Sequence, residues 1–186
     1  WRFITGGPVR FAPVAWEGKV YFVSDDGYLY CLNDDGSLRW KFRGLPDDRR
    51  DRKVLGHGRL ISLWPARGGP VLADGVVYFA AGIWPTEGVF VHAVDAESGE
   101  AVWSNTKSDR IPASNWDHGI GCDAGLTPQG YLALVGDRLV VPCGTQLPAF
   151  LDLKTGDLQT YTTGWGGRSG LPKGCWFVAS VGKYLS

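Results

Sequence analysis

The stretch Asp95-Ala96-Glu97-Ser98-Gly99-Glu100-Ala101-Val102-Trp103 closes a unit that occurs more than once in this chain. Each unit holds a short apolar stretch, a turn glycine, a β-branched and aromatic run, a second such run ending in Asp or Asn, another turn glycine and an aromatic residue. Trp40 stands four residues after Gly36, just as Trp103 stands four after Gly99. A fixed offset of this kind predicts a structural repeat.

Working outward from this stretch, the repeat covers nearly the whole chain. The first copy runs from Pro13 to Trp40, the second from Pro70 to Trp103, and a degraded third from Tyr131 to Tyr161. A fourth begins at Phe177, and the opening residues 1–3 repeat the end of a copy. These anchors predict the following division: blade end 1–3, blade 8–42, inserted loop 43–66, blade 67–105, loop 106–125, blade 126–163 and partial blade 175–186.

Each copy predicts four short strands separated by Gly, Asp and Asn turns, with no helical period. Four antiparallel strands that end on an aromatic residue are typical of a propeller blade. We therefore predict an all-β fold, a β-propeller fragment with about three complete four-stranded blades and parts of two more. A β-sandwich does not explain the constant offset between glycine and aromatic. The strands that begin near Pro13, Pro70, Tyr131 and Phe177 are expected to be innermost.

The composition excludes some function classes. The chain has 186 residues, of which 44% are hydrophobic and 20% are charged, and its 19 Lys and Arg balance its 19 Asp and Glu. A neutral chain provides no electrostatic reason to expect nucleic acid or an anionic membrane surface as a partner. No apolar run approaches the ~18 residues of a membrane span.

The phrases around Asp95 and Asp152 resemble a D-A-x-T-G-x-x-x-W motif, and Asp25-Asp26-Gly27-Tyr28-Leu29-Tyr30 resembles a second motif of the same family. Together they make the chain similar to the pyrroloquinoline-quinone (PQQ) repeat family. The resemblance implies that Trp40, Trp103 and the corresponding Tyr161 are docking residues that stack between adjacent blades. A large ring with an N–H donor suits such a seam. We expect Trp40 and Trp103 to occupy equivalent buried positions.

The resemblance leaves two kinds of function open. Similar propellers occur in quinoprotein alcohol and glucose dehydrogenases, which bind PQQ and calcium, and in cofactor-free envelope proteins such as the lipoprotein of the bacterial outer-membrane assembly machinery. The dehydrogenases use an adjacent-Cys disulfide, and this chain has no Cys-Cys pair. The expectation is a non-catalytic binding or scaffold module, periplasmic or extracellular, without a cofactor. The alternatives are part of a PQQ- and calcium-dependent dehydrogenase, or a propeller fused to an enzyme outside these residues.

Loop aromatics beside Arg and Asp indicate a candidate ligand face for a protein or carbohydrate, although solvated loops and hydrophobic blade caps have the same composition. The candidates are Arg59, Trp64, Arg67, Trp84, Trp116, Asp117 and His118. No pair among Asp117, His118, Cys122 and Asp123 has the spacing of a metal site, so no metal is predicted. No hydrolase, zincin or phosphate-loop motif is present, so no catalytic residue is predicted.

The sequence positions of His92, Cys31 and Cys143 favour structural roles. Cys31 and Cys143 have the pattern of small buried hydrophobes, and His92 that of a hydrogen-bonded blade histidine. Cys122 and Cys175 occupy equivalent loops, so they are either unpaired or joined by a disulfide.

A propeller closes by bringing its last blade against its first. With one leading strand and an incomplete final copy, residues 1–186 are expected to leave both ends uncovered for the remaining blades. Expressed alone, they are expected to aggregate.

Overall fold

A computed structural model describes residues 1–56, 58–108, 111–117, 120–144, 147–161, 178, 180–181 and 184–185. The first blade is an antiparallel sheet whose strands pair in chain order: β1 (Val14–Trp16), β2 (Lys19–Val23), β3 (Tyr28–Asn33) and β4 (Leu38–Arg43). A hairpin follows it, formed by β5 (Lys53–Gly56) and β6 (Arg59–Ser62). The second blade contains β7 (Ala66–Ala73), β8 (Val76–Ala81), β9 (Phe90–Asp95) and β10 (Ala101–Asn105).

The third blade comes after another hairpin. That hairpin pairs β11 (Ile111–Asp117) with β12 (Ile120–Ala124). The strands after it are β13 (Gly130–Tyr131), β14 (Ala133–Val135), β15 (Arg138–Val141), β16 (Ala149–Asp152) and β17 (Leu158–Thr160). The last four form the third blade, and β18 (Ser180–Val181) pairs with β19 (Tyr184–Leu185). The described residues contain no helix, so none that could cross a membrane.

Two segments expected to be loops contain hairpins instead. Residues 43–66 carry β5 and β6, and residues 106–125 carry β11 and β12. In the first hairpin Val54 is paired with Ile61, whose side chain is buried. The charged residues before Lys53 obscure this short alternation in the sequence. Local β-propensity and one buried partner decide the structure there, rather than the charge run.

The blades form where β-branched and aromatic residues alternate between tight turns. Glu17 and Gly18, like Asp74 and Gly75, have positive φ angles and join paired strands through two-residue turns. Two successive positive φ values are typical of the type I′ turn, whose twist matches the twist of the strands. Such turns set the register of β1 on β2 and of β7 on β8.

The core lies between blades rather than inside one. One buried cluster joins side chains from β2 and β3 to side chains from the second blade: Tyr21, Val23, Leu29, Cys31, Ala66, Val77, Phe79, Ala81, Val94 and Ala96. A second cluster joins the second and third blades in the same way. Each sheet therefore buries its faces on its neighbours, and the molecule is a β-propeller fragment.

The first strands approach one another across blade boundaries. β7 contacts β1 and β2 of the first blade and pairs in parallel with β13, where Gly68 and Gly69 face Gly130 and Tyr131. The last strands β4, β10 and β17 are more exposed. β7 therefore lies between the first blade and β13. That the strands near Pro13, Pro70 and Tyr131 are innermost stays a prediction. Phe177 lies outside the described residues.

Candidate functional site

Several connections lie at one end of the three sheets because the strands alternate in direction. They are the segment before β1, the β2–β3 turn (residues 24–27), the β4–β7 connection (44–65), the β8–β9 turn (82–89) and the β10–β14 connection (106–132). We call this end the insertion face, since both hairpins belong to it. Gly44 N–H donates to Gly27 O at 2.9 Å and Gly82 N–H to Pro65 O at 2.9 Å, so these connections contact one another.

The buried carboxylate of Asp25 organises the insertion face by binding two arginine side chains. Asp25 is 1% exposed, and its backbone N–H donates to Pro8 O at 2.8 Å. Arg10 Nε donates to Asp25 Oδ2 at 2.6 Å. Arg67 donates from Nε to Oδ1 at 2.8 Å and from Nη2 to Oδ2 at 3.3 Å. One carboxylate therefore fixes two guanidinium groups from different parts of the chain.

The side chains around Asp25 do not suit a metal ion. Two guanidinium groups donate to this carboxylate, so both of its oxygens already accept from arginine. Calcium requires several free oxygen ligands. Among the side chains that the structure describes, no three His, Cys, Asp or Glu residues are grouped to hold a metal. The side chains around Asp25 therefore do not fit calcium.

A cavity of about 120 Å³ adjoins Arg67. Its lining comes from the segment before β1, from the second blade and from the segment that leads into the third blade: Phe11, Arg67, Ile83, Gln129 and Gly130. Pockets for drug-sized ligands measure roughly 300–1,000 Å³. This cavity therefore fits a small functional group rather than a tricyclic quinone such as PQQ.

Asp26 holds the segment that carries Arg10 in place through a hydrogen bond from the backbone of that segment. Gly6 N–H donates to Asp26 Oδ2 at 2.8 Å, and the Tyr30 hydroxyl donates to the same oxygen at 2.6 Å. Burial, and then this hydrogen bond to a carboxylate, raise the pKa of Tyr30 above its usual range, so Tyr30 remains a donor. A Cβ on Gly7 would lie 2.5 Å from Asp26 N, so the segment passes directly over the turn.

Trp64, expected on an open ligand face, is buried instead. It is 4% exposed, and its indole N–H donates to Glu87 O at 2.7 Å. Arg49 Nη1 donates to the same carbonyl at 2.9 Å, while Arg52 pairs with the Glu87 carboxylate at 2.5 Å. Trp64 thus connects the first hairpin to the β8–β9 turn, because its ring is large enough to contact both.

The other expected ligand residues have different positions on this face. Arg67 lies in the central site, Arg59 is exposed on β6, and Trp84 is 59% exposed in the β8–β9 turn. Trp116 and Asp117 belong to β11, but their side chains are not among those described, and His118 lies outside the described residues.

Sequence reasoning did not identify Arg10, Asp25 or Gln129 as site residues. In the sequence, Asp25 forms part of a turn motif. The signal available for Asp25 was an acidic residue directly after an apolar strand; nothing local identifies its arginine partners.

The docking residues occupy equivalent strand positions. Trp40 lies on β4 opposite Cys31, and Trp103 on β10 opposite Ala93. Their indole N–H groups donate to Ala96 O at 3.2 Å and to Leu153 O at 3.0 Å, each in the next blade. Both rings are half-buried rather than buried, because the outer strands that carry them face solvent on one side.

Tyr161 has a different partner from the two tryptophans. Its hydroxyl donates to Gly125 O at 2.7 Å, in the connection leading into its own blade. Burial raises the pKa of Tyr161 to about 12. A seam with a following blade involves residues outside those described.

His92 is buried and hydrogen-bonded on both sides of the ring. Nδ1 lies 2.8 Å from Ser104 Oγ and Nε2 lies 3.0 Å from Gly44 O, while Phe79 stacks on the ring. Burial lowers the pKa of His92 to about 4, against the opposing effect of the Gly44 carbonyl. His92 is thus neutral at pH 7 and joins the second blade to the end of β4.

Cys31 and Cys143 are buried free thiols, and burial raises the pKa of both. The Cys122 side chain and all of Cys175 lie outside what the structure describes, so the possible disulfide stays a prediction.

The sequence family described as outer membrane protein assembly factor BamB matches residues 1–165. None of the curated proteins matches this chain. The crystal structure of BamB from Moraxella catarrhalis is similar, with 16% sequence identity and a TM-score of 0.53, over 85% of this chain and 37% of that one.

Two solved dehydrogenases are similar to the same degree. Quinohemoprotein alcohol dehydrogenase from Comamonas testosteroni has 19% identity and a TM-score of 0.55, over 83% of this chain and 21% of that one. A europium-containing methanol dehydrogenase has 15% identity and a TM-score of 0.54, over 85% of this chain and 25% of that one. Such identities show a shared fold, and this chain spans well under half the length of each structure.

Proposed function

Since this chain belongs to the family of the outer membrane protein assembly factor BamB, we propose that it is part of a non-catalytic propeller, a binding or scaffold module of the bacterial cell envelope. Family membership supports a periplasmic or extracellular location. Fold alone does not select between binding and catalysis, because one fold hosts both. The proposal therefore depends on the chemistry of the insertion face.

The observation that carries the proposal is the pairing of Asp25 with two arginines. A catalytic metal centre needs free carboxylate oxygens, whereas here the buried carboxylate binds two guanidinium groups and positions that of Arg67 beside a cavity. Guanidinium forks recognise planar anionic groups. This arrangement suits recognition of a ligand or partner, for which the exposed Arg59 and Trp84 supply further contact area.

The partner class is a protein or a carbohydrate. A photo-crosslinking residue placed at Trp84 tests this in cells, with Val102 as the matched control. Both side chains are more than half exposed, at 59% and 53%, but Val102 lies on β10, away from the insertion face. We expect a discrete crosslinked product from position 84 only. Equal products from both positions, or none from position 84, would contradict a binding role for this face.

The alternative is part of a PQQ- and calcium-dependent dehydrogenase, or a propeller fused to an enzyme outside these residues. It is favoured only by the fold shared with the two dehydrogenases. The deciding experiment incubates the intact protein with PQQ and Ca²⁺, then measures retained quinone absorbance and alcohol-dependent dye reduction, with a quinohemoprotein dehydrogenase as positive control. We expect neither signal. Retained quinone with alcohol-dependent dye reduction would refute the non-catalytic function.

A further inference from the structure

Two polar side chains, Arg67 and Gln129, line the cavity on the insertion face, and both carry hydrogen-bond donors. Arg67 uses Nε and Nη2 for Asp25. Gln129 is held by its backbone, whose N–H donates to Pro142 O at 3.0 Å. Within the described part of the chain, Arg67 Nη1 and the Gln129 carboxamide make no hydrogen bond. Both residues line the same cavity, so their donors are available to one ligand.

The charge of the site favours an anion. Arg67 is the charged residue that lines the cavity. The carboxylate of Asp25 is shared between the guanidinium groups of Arg67 and Arg10. The Arg67 side chain is only 19% exposed, so solvent screens its charge less than that of a surface arginine. Asp25 also fixes the guanidinium plane in advance, which reduces the ordering cost of binding.

We infer that this cavity is a binding site for a single carboxylate group. Arg67 would donate to the carboxylate oxygens, the Gln129 amide would donate to one of them, and Phe11 and Ile83 would pack on the adjoining carbon. A volume of about 120 Å³ accepts such a group with a short apolar stem.

This inference rests on the proposed binding function and names its ligand chemistry. The carboxylate belongs either to a free small acid or to an acidic side chain of a partner. The lining comes from segments that are distant in the chain, so the site exists only when they are packed together. Binding should therefore also stabilise the packing of these segments.

The test is calorimetric titration of the intact protein with four probes: propionate, propionamide, a doubly capped Gly-Asp-Gly peptide and its Gly-Asn-Gly counterpart. We expect saturable binding of the carboxylate probes and at least about tenfold weaker binding of the amide probes. Tighter binding of propionate identifies a free acid as the source, and tighter binding of the Asp peptide identifies an acidic side chain. Either result supports the site.

Variants connect the binding to the cavity. Gln129→Leu removes the carboxamide without touching an ion pair, and Arg67→Lys keeps the charge but removes the guanidinium fork. Both should weaken carboxylate binding by about tenfold or more, whereas Arg138→Gln, an exposed arginine on β15, should not. If Arg67→Lys fails to fold, the affinity of Gln129→Leu for the carboxylate probes decides whether the cavity is the binding site.

The inference is overturned if no carboxylate probe binds saturably, or if folded Gln129→Leu binds as tightly as the parent protein. Either result leaves the non-catalytic function standing. Quinone-dependent dye reduction would refute that function without removing the carboxylate site, so the two failures are distinguishable.

Discussion

The indole of Trp40 lies directly on Gly99, the turn glycine of the next blade. A Cβ built on Gly99 would be 2.7 Å from Cδ2 of the indole, closer than real Cβ atoms approach. The Trp40 N–H donates to Ala96 O in the same turn. Trp1 contacts Gly36 and Trp103 contacts Gly156 in the same way. The tryptophan of one blade therefore contacts the turn glycine of the next blade. The glycine that stands four residues before it in the sequence belongs to its own blade.

The docking contact predicts that Gly99→Ala destabilises the protein more than Gly18→Ala. Both glycines have positive φ, 76° and 70°, so each substitution should cost about 1–2 kcal/mol of unfolding free energy in backbone strain. Only Gly99 faces an indole, and this overlap should add about 1–3 kcal/mol. Chemical denaturation of the intact protein measures both. Equal losses would mean that the ring does not constrain the turn.

Truncating a docking indole should loosen the seam between blades. Trp103→Ala removes a ring that packs on Gly156 and a hydrogen bond to Leu153 O, and should cost about 3 kcal/mol. Trp84→Ala is the control, since Trp84 is 59% exposed and should change stability by less than about 0.5 kcal/mol. Similar midpoints for the two variants in urea would contradict the docking role.

Asp25→Asn should be strongly destabilising, because it leaves two guanidinium groups without their buried counter-charge. Removing one partner of a buried ion pair costs about 3–5 kcal/mol. Glu97 also contacts two cations, Lys19 and Arg39, but its side chain is 58% exposed. Glu97→Gln should therefore change the unfolding free energy far less. A thermal midpoint for Asp25→Asn as high as that for Glu97→Gln would exclude a buried charge at the centre of the insertion face.

Stability should fall on acidification because of His92. The folded-state pKa, about 4, lies below the ordinary value of 6.5, so the unfolded chain binds the proton first. The contribution of neutral His92 to the free energy of unfolding is fully present above pH 6.5. It is lost as the pH falls from 6.5 to 4, by roughly 3 kcal/mol in total. Phe42, Phe79, Ser104 and Gly44 surround the ring and carry no charge.

His92→Gln supplies the comparison, because its amide can still donate to Gly44 O but does not titrate. Denaturation at pH 7, 6, 5 and about 4.5 should show a steeper decline for the parent protein than for this variant. Parallel declines would assign the acid sensitivity to other groups.

The sequence by itself determined the repeat, the β class and the strand positions of Trp40 and Trp103. These features depend on short-range chemistry: alternating β-formers, turn glycines and one offset between glycine and aromatic. Neighbouring strands in a blade are joined by a few residues, so local order suffices to place them.

Only the tertiary structure decided the central site. Arg10 and Arg67 reach Asp25 across 15 and 42 residues of chain, and Gln129 lines the same cavity as Arg67 from the segment that leads into the third blade. Trp64 has the composition of an open loop aromatic yet is buried, because the β8–β9 turn provides a carbonyl at the right place. Distant elements decide whether a polar side chain is hydrogen-bonded within the protein or available to a ligand. No local pattern in the sequence contains that information, because it arises only when distant segments pack together.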